Sequence, residues 1–265
     1  MNDKLDIELS PELENFREQI EASVKTFIKI FPEPESNVNW WQSKFGGLPY
    51  LPKSVEYPKN PEGDPLFLLA QINFADVPPL EGFPEKGILQ FYILDEHLFG
   101  VNYDDETIQS DWRILYFPNP DTNEENLITN FEFLPEPKEI AELLLRNKCY
   151  ALKFEKNYVP TLIENCDAVV NYEADCPIPN EFIEEYCEKF PPFGHKIGGV
   201  PRFVQNDQRP KTLKEEDQYI LLLQIDTDSA LGIEWGDDGA AHFLIKKSAL
   251  KNLDFTEVKY VWECG

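Results

Sequence analysis

Positive charge is what this 265-residue chain lacks most: 24 lysines and arginines face 49 aspartates and glutamates, a formal net charge of −25. Such a field repels phosphate backbones and anionic lipid, so it argues against nucleic-acid binding and against docking on membranes, and it attracts cationic partners. Histidine is scarce as well. His97, His195 and His242 are the only three, and with no G-x-S-x-G a serine or cysteine triad would have to be assembled from unrelated loops. The five cysteines, Cys149, Cys166, Cys176, Cys187 and Cys264, form neither a C-x-x-C pair nor an even disulfide framework, and they read as reduced thiols of a cytoplasmic protein. No apolar run approaches the roughly 18 residues of a membrane helix. The polar start Met1-Asn2-Asp3-Lys4 lacks the basic-then-apolar pattern of a secretory signal. The expectation is a soluble protein with no membrane and no nucleic-acid partner.

What the chain does contain is a pattern met twice. Lys44-Phe45-Gly46-Gly47-Leu48-Pro49 returns as Lys196-Ile197-Gly198-Gly199-Val200-Pro201, Leu68-Leu69-Ala70-Gln71-Ile72 as Leu221-Leu222-Leu223-Gln224-Ile225, and Gly87-Ile88-Leu89-Gln90-Phe91 as Gly239-Ala240-Ala241-His242-Phe243. The separations, 199 − 47 = 152, 224 − 71 = 153 and 239 − 87 = 152, agree within one residue, which reads as a tandem duplication with a period too long for a solenoid turn. The expected organisation is one domain over residues 1–265 built from two repeats, 11–135 and 137–265. The expected fold is α+β and internally duplicated: mostly antiparallel sheets with a few flanking helices, in two similar halves related by a pseudo-two-fold.

Leu13, Phe16, Ile20, Val24, Phe27 and Phe31 recur at steps of three and four and predict a helix from Pro11 to Phe31, with Ser10 as N-cap and Pro32 as the stop. Further helices are predicted over Lys138 to Asn147 and Glu181 to Phe190. Apolar or aromatic-rich runs predict strands over Phe67 to Phe74, Ile88 to Leu94, Arg113 to Phe117, Cys149 to Phe154, Ala168 to Tyr172, Tyr219 to Ile225, Ala240 to Ile245 and Val258 to Cys264. Proline-rich connections separate them.

The candidate binding residues are Gly46, Gly47, Pro49, Gln71, Gly198, Gly199, Pro201, Gln224, Trp235 and Asp237. Paired glycines behind a lysine can cradle an anion, but neither stretch has a phosphate-loop spacing, and the preferred reading is a turn needing positive φ or close backbone packing. Lys44 and Lys196 are then surface partners of nearby carboxylates. Gln71 and Gln224 sit inside apolar runs, where each amide must find partners; they read a ligand at equivalent points of two half-sites, or they bridge strand to neighbouring Gly-Gly-Pro loop. Asp226, Asp228, Glu234, Trp235, Asp237, Asp238 and His242 form the densest polar group. Carboxylates beside an imidazole can bind a divalent cation or serve acid–base chemistry, yet the spacing is not an EF-hand loop and Asp237-Asp238-Gly239 reads as a turn. No metal and no cofactor is expected.

Through Gly46-Gly47-Leu48-Pro49-Tyr50-Leu51-Pro52, Tyr57-Pro58, the Gln71 and Gln90 segments, His195 to Pro201, Leu222 to Asp226 and Trp235-Gly236-Asp237, the chain resembles the YwqG-like family of uncharacterised bacterial proteins. The resemblance spans nearly everything after residue 40. It implies a duplicated α+β fold and a cytosolic bacterial protein, and no activity, cofactor or catalytic residue to transfer. The expected function is a non-catalytic binding module for a protein partner, with immunity-like masking of a basic toxin the form that uses the charge most directly. The alternatives are a metal-dependent hydrolase on the acidic group from Asp226 to Asp238, and a small-molecule sensor binding between the halves.

Overall fold

The computed structural model describes residues 7–34, 38–135, 148–163, 177–210 and 214–265. The predicted helix at Lys138 to Asn147, the predicted strand at Ala168 to Tyr172, the boundary at 135–137, and Cys166 and Cys176 lie partly or wholly outside these residues. Cys149 and Cys264 are outside any disulfide. Cys187 is disulfide-bonded, which corrects the expectation that all five cysteines are reduced.

The chain enters through a 3₁₀ turn at Leu13–Phe16 and helix α1 at Arg17–Ala22. Ser10 caps this entry, its Oγ accepting from Leu13 N at 3.2 Å. The helix stops nine residues short of Phe31. From Val24 to Pro34 the chain is instead a strand, β1, whose core-facing residues include Ile28 and Ile30; the β-branched residues Val24, Thr26, Ile28 and Ile30 alternate onto one face and fit a pleated surface better than a helix.

The other strands are β2 (Lys44–Gly46), β3 (Phe67–Asn73), β4 (Ile88–Ile93), β5 (Trp112–Phe117), β6 (Cys149–Pro160), β7 (Lys196–Gly198), β8 (Tyr219–Asp226), β9 (Ala240–Lys246) and β10 (Val258–Glu263). Two short helices, α2 (Ile183–Lys189) and α3 (Lys247–Lys251), complete the regular elements described.

Here the expected fold is corrected. Instead of two similar halves with sheets of their own, the described strands form one ten-stranded sheet in the order β10-β9-β8-β7-β1-β6-β2-β3-β4-β5, and the described pairings are antiparallel. The two stretches are interleaved at its centre. β1 pairs with β6 and β7, both from beyond residue 137, and β6 pairs with β1 and β2, both from before residue 135. Neither stretch therefore closes a sheet without the other. The α+β description survives only in its coarse sense, because the helices are few and short.

The sheet curls until its two flanks meet over a common core. Phe91 of β4 lies 4.7 Å from Phe243 of β9 between ring centroids, and Trp112 of β5 lies 5.6 Å from Tyr260 of β10, which stacks on Phe243 at 4.6 Å. The segment between β4 and β5 bridges the two edge strands. Tyr260 N donates to Glu106 O at 2.9 Å, and Gln109 donates to Phe255 O at 2.8 Å while its Oε1 accepts from Ile114 N at 2.9 Å. Edge groups left open would invite pairing with another chain. This bridge occupies one main-chain donor on each edge strand, Tyr260 N of β10 and Ile114 N of β5.

Candidate functional site

The paired motifs come to rest in matching local settings. Lys44 of β2 lies opposite Gln71 of β3, and Lys196 of β7 lies opposite Gln224 of β8. The glycines behind each lysine turn left-handed, with φ of 64° and 70° at Gly46 and Gly47 and of 70° and 72° at Gly198 and Gly199. Space is denied as well: a Cβ on Gly47 would lie 2.8 Å from Cys149 Sγ, and one on Gly199 would lie 2.8 Å from Phe27 Cβ. These turns are shaped by packing against protein.

Both lysines are buried, which corrects their expected place at the surface. Lys44 Nζ donates to the carbonyls of Asn39 and Leu48, each at 3.0 Å, and Lys196 Nζ to the carbonyl of Pro192 at 2.6 Å. Each ammonium thus ties down backbone carbonyls next to the glycine turn. Burial pushes the Lys44 amine down to about 8 and the Lys196 amine to about 7, since a charged amine loses hydration that carbonyls replace only in part.

The glutamines lock the loops that follow. Pro49 and Pro201, both buried, deliver the next amide inward: Tyr50 N donates to Gln71 Oε1 at 2.8 Å and Arg202 N to Gln224 Oε1 at 2.7 Å. Gln71 Nε2 donates in turn to Trp40 O and Gln42 O, both at 2.8 Å, and Gln224 Nε2 to Pro192 O at 3.2 Å and Gly194 O at 2.9 Å. Each amide therefore fastens its strand to the segments on either side of its lysine.

Around this shared frame the two settings use different chemistry. At the first, Ser43 Oγ accepts from Asn73 N at 2.9 Å, Asn73 Nδ2 donates to Trp41 O at 3.0 Å, and Gln90 Nε2 donates to Gln71 Oε1 at 2.8 Å and Tyr50 O at 2.6 Å. At the second, His195 Nδ1 accepts from Asp226 N at 3.1 Å, and Asp226 accepts from Gly194 N at 2.6 Å and from the guanidinium of Arg202 at 2.8 Å. His242 occupies the place of Gln90 opposite the glutamine, and neither of its ring nitrogens has a hydrogen-bond partner. Its ring packs on Phe203, centroids 5.1 Å apart. Burial first, and the charge of Lys196 next, push the imidazole down to about 3, with the nearby Arg202 main chain acting in the opposite sense.

The acidic group converges differently from what its spacing suggests. Arg202 gathers Asp226 at 2.8 Å and Asp238 at 3.1 Å, drawing together residues on either side of a hairpin. Asp228 lies 3.7 Å from His195 Nε2. Because His195 Nδ1 already accepts a backbone N–H, its neutral ring carries the proton on Nε2 and turns it toward Asp228, so neither nitrogen is positioned as a general base for a nucleophile. Burial lowers the His195 pKa while Asp226 and Asp228 raise it. No three His, Cys, Asp or Glu side chains among the described residues are grouped to hold a metal ion. Trp235 is buried between Phe99 and Trp262 with its indole N–H unpaired. Asp237 is exposed, and its carbonyl accepts from Gly265 N at 2.9 Å.

Sequence reasoning missed Arg202, Asn73 and Ser43. The signal for Arg202 is its position directly after the second Gly-Gly-apolar-Pro, where Tyr50 follows the first. Among the described residues no helix is long and apolar enough to cross a membrane. No curated protein matches the chain. A family described as a domain of unknown function, DUF1963, matches residues 43–264, a span that contains both Lys-Gly-Gly turns and both glutamine locks; the chain belongs to that family.

Proposed function

We propose that the protein is a non-catalytic binding module that recognises a cationic protein partner through its acidic surface. One observation carries the reading: in a chain of net charge −25, three cations, Lys44, Lys196 and Arg202, are buried, and their donors face backbone carbonyls, Asp226 and Asp238. They are unavailable to an anionic ligand at the surface. Meanwhile Asp104, Asp105 and Asp237 stand exposed on loops, and Glu124 and Glu125 on the exposed 3₁₀ turn Glu124–Asn126. A field of this sign speeds the approach of a basic partner and discriminates against acidic ones. The resemblance to YwqG-like proteins is compatible with this reading, and immunity-like masking of a basic toxin is its most direct form.

The test is titration with a small basic protein at low and then raised ionic strength. Association that weakens steeply as salt screens the charges is expected. Absence of association at low salt would overturn the reading.

A further inference from the structure

Beside the first Gly-Gly turn a cleft of about 500 Å³ opens to solvent. It lies between the segment that leaves that turn and the segment that leaves β5. Pro52, Phe117 and Pro118 give its walls apolar surface beside the polar Ser54, Asn119 and Asn126, and Tyr50, which also lines it, meets Phe117 edge to face with centroids 5.2 Å apart. Its rim carries a fixed carboxylate. Asp121 accepts from Asn123 N at 2.9 Å and from Asn126 Nδ2 at 2.6 Å, and its own N–H donates to Tyr50 Oη at 2.8 Å. The acid is thereby tied to the tyrosine that lines the cleft. The hydrogen bond from Asn123 N, and then that from Asn126, hold the Asp121 carboxyl below the usual carboxylate range. Lys53, the cation among the lining residues, turns its ammonium onto Glu125 O at 2.7 Å.

Apolar surface beside an anchored carboxylate suits a flat, weakly hydrated cation. A guanidinium can lie against aromatic and proline surfaces while its N–H fork meets the carboxylate, whereas an ammonium is a strongly hydrated point charge that gains less from them. We propose that this cleft takes an arginine side chain of the cationic partner, with Phe117 and Pro118 against the guanidinium and Asp121 accepting its N–H groups. The inference rests on the binding-module reading and adds which side chain of the partner is gripped, and where.

The experiment measures fluorescence anisotropy of labelled hexa-arginine and hexa-lysine with the full chain and three variants: Phe117→Ala, Asp121→Asn and, as a charge-matched control at an exposed position of the 3₁₀ turn Glu215–Asp217, Glu216→Gln. The wild type is expected to prefer hexa-arginine by about five-fold, the scale of one exposed cation–π contact. Phe117→Ala and Asp121→Asn should each bring the preference close to one, and Glu216→Gln should leave it intact. Equal binding of both peptides by the wild type, or a preference lost equally in Glu216→Gln, overturns the arginine cleft and leaves the cationic-partner reading standing. Binding of neither peptide at low salt brings down that reading, and the cleft with it.

Discussion

The settings of Gln71 and Gln224 share one backbone frame and solve its polar interior in opposite ways. At the first, Ser43, Asn73, Tyr50 and Gln90 are uncharged, Ser43 Oγ donates to the exposed Asp76 carboxylate at 2.8 Å, and Gln90 accepts from Tyr92 Oη at 2.9 Å. At the second, His195, Asp226, Arg202 and His242 stand in the corresponding places, an ion pair is buried, and His242 is left unpaired. A network of uncharged side chains, whose one carboxylate partner Asp76 stays exposed at its edge, gains modestly from each bond and asks little of solvation. A buried ion pair must recover the hydration of both ions, so it fixes geometry more than it adds stability. The outer surfaces differ too: the first setting adjoins an open cleft, whereas the guanidinium at the second lies over Phe193 at 4.5 Å.

The largest way to break this comparison is at Arg202. Arg202→Leu strands the Asp226 carboxylate and should cost about 3 to 5 kcal/mol, against about 1 kcal/mol for Tyr50→Phe at the neutral setting; equal losses in urea melts would erase the distinction. Next in size is the amide lock. Gln71→Leu leaves Tyr50 N and two carbonyls unpaired and should lower stability by about 1 to 3 kcal/mol, while an unchanged midpoint would show that water replaces the amide.

The lysines give a pH signature. Their folded pKa values, about 8 for Lys44 and about 7 for Lys196, lie below the ordinary lysine value of 10.5, so between those values and 10.5 the unfolded chain holds more protons. Stability should then rise with pH across that window, by at most about 1.4 kcal/mol per pH unit for each lysine. The rise begins lower for Lys196. Lys196→Met should flatten the slope between pH 7 and 8 more than Lys44→Met does, as denaturant midpoints at each pH will report.

The smallest effect sharpens the comparison. His242 has a folded value of about 3 against the ordinary histidine value of 6.5, so its neutral burial favours the fold above pH 6.5 and that contribution is lost as pH falls toward 3. His242→Gln places Gln90's amide beside Gln224. It should gain up to about 1 kcal/mol at neutral pH and make acid unfolding shallower; a loss at neutral pH would mean that ring packing on Phe203 outweighs the missing bonds.

Much of this frame was legible in the chain. The recurrence of Lys-Gly-Gly and of Gln inside apolar runs marked the lock, because a buried amide has to be paired. The span from Val24 to Phe31 was misread since its apolar residues satisfy both a helical and an alternating period, and the choice was made by pairing with β6, far away in sequence. The single sheet was hidden for the same reason: which strands neighbour β1 depends on contacts more than a hundred residues distant. Lysine's usual exposure concealed Lys44 and Lys196. Asp226 and Asp238 meet only through Arg202, which no spacing rule connects to them.

Hydrogen–deuterium exchange of the full chain, with and without saturating hexa-arginine, tests most directly whether recognition belongs to the open cleft beside the first setting and the buried ion pair to the fold. Added protection is expected over residues 50–54 and 117–126, with none over 192–205. Protection concentrated at 192–205 and 224–242 instead would contradict it, making the charged setting around Arg202 the place where the partner is read.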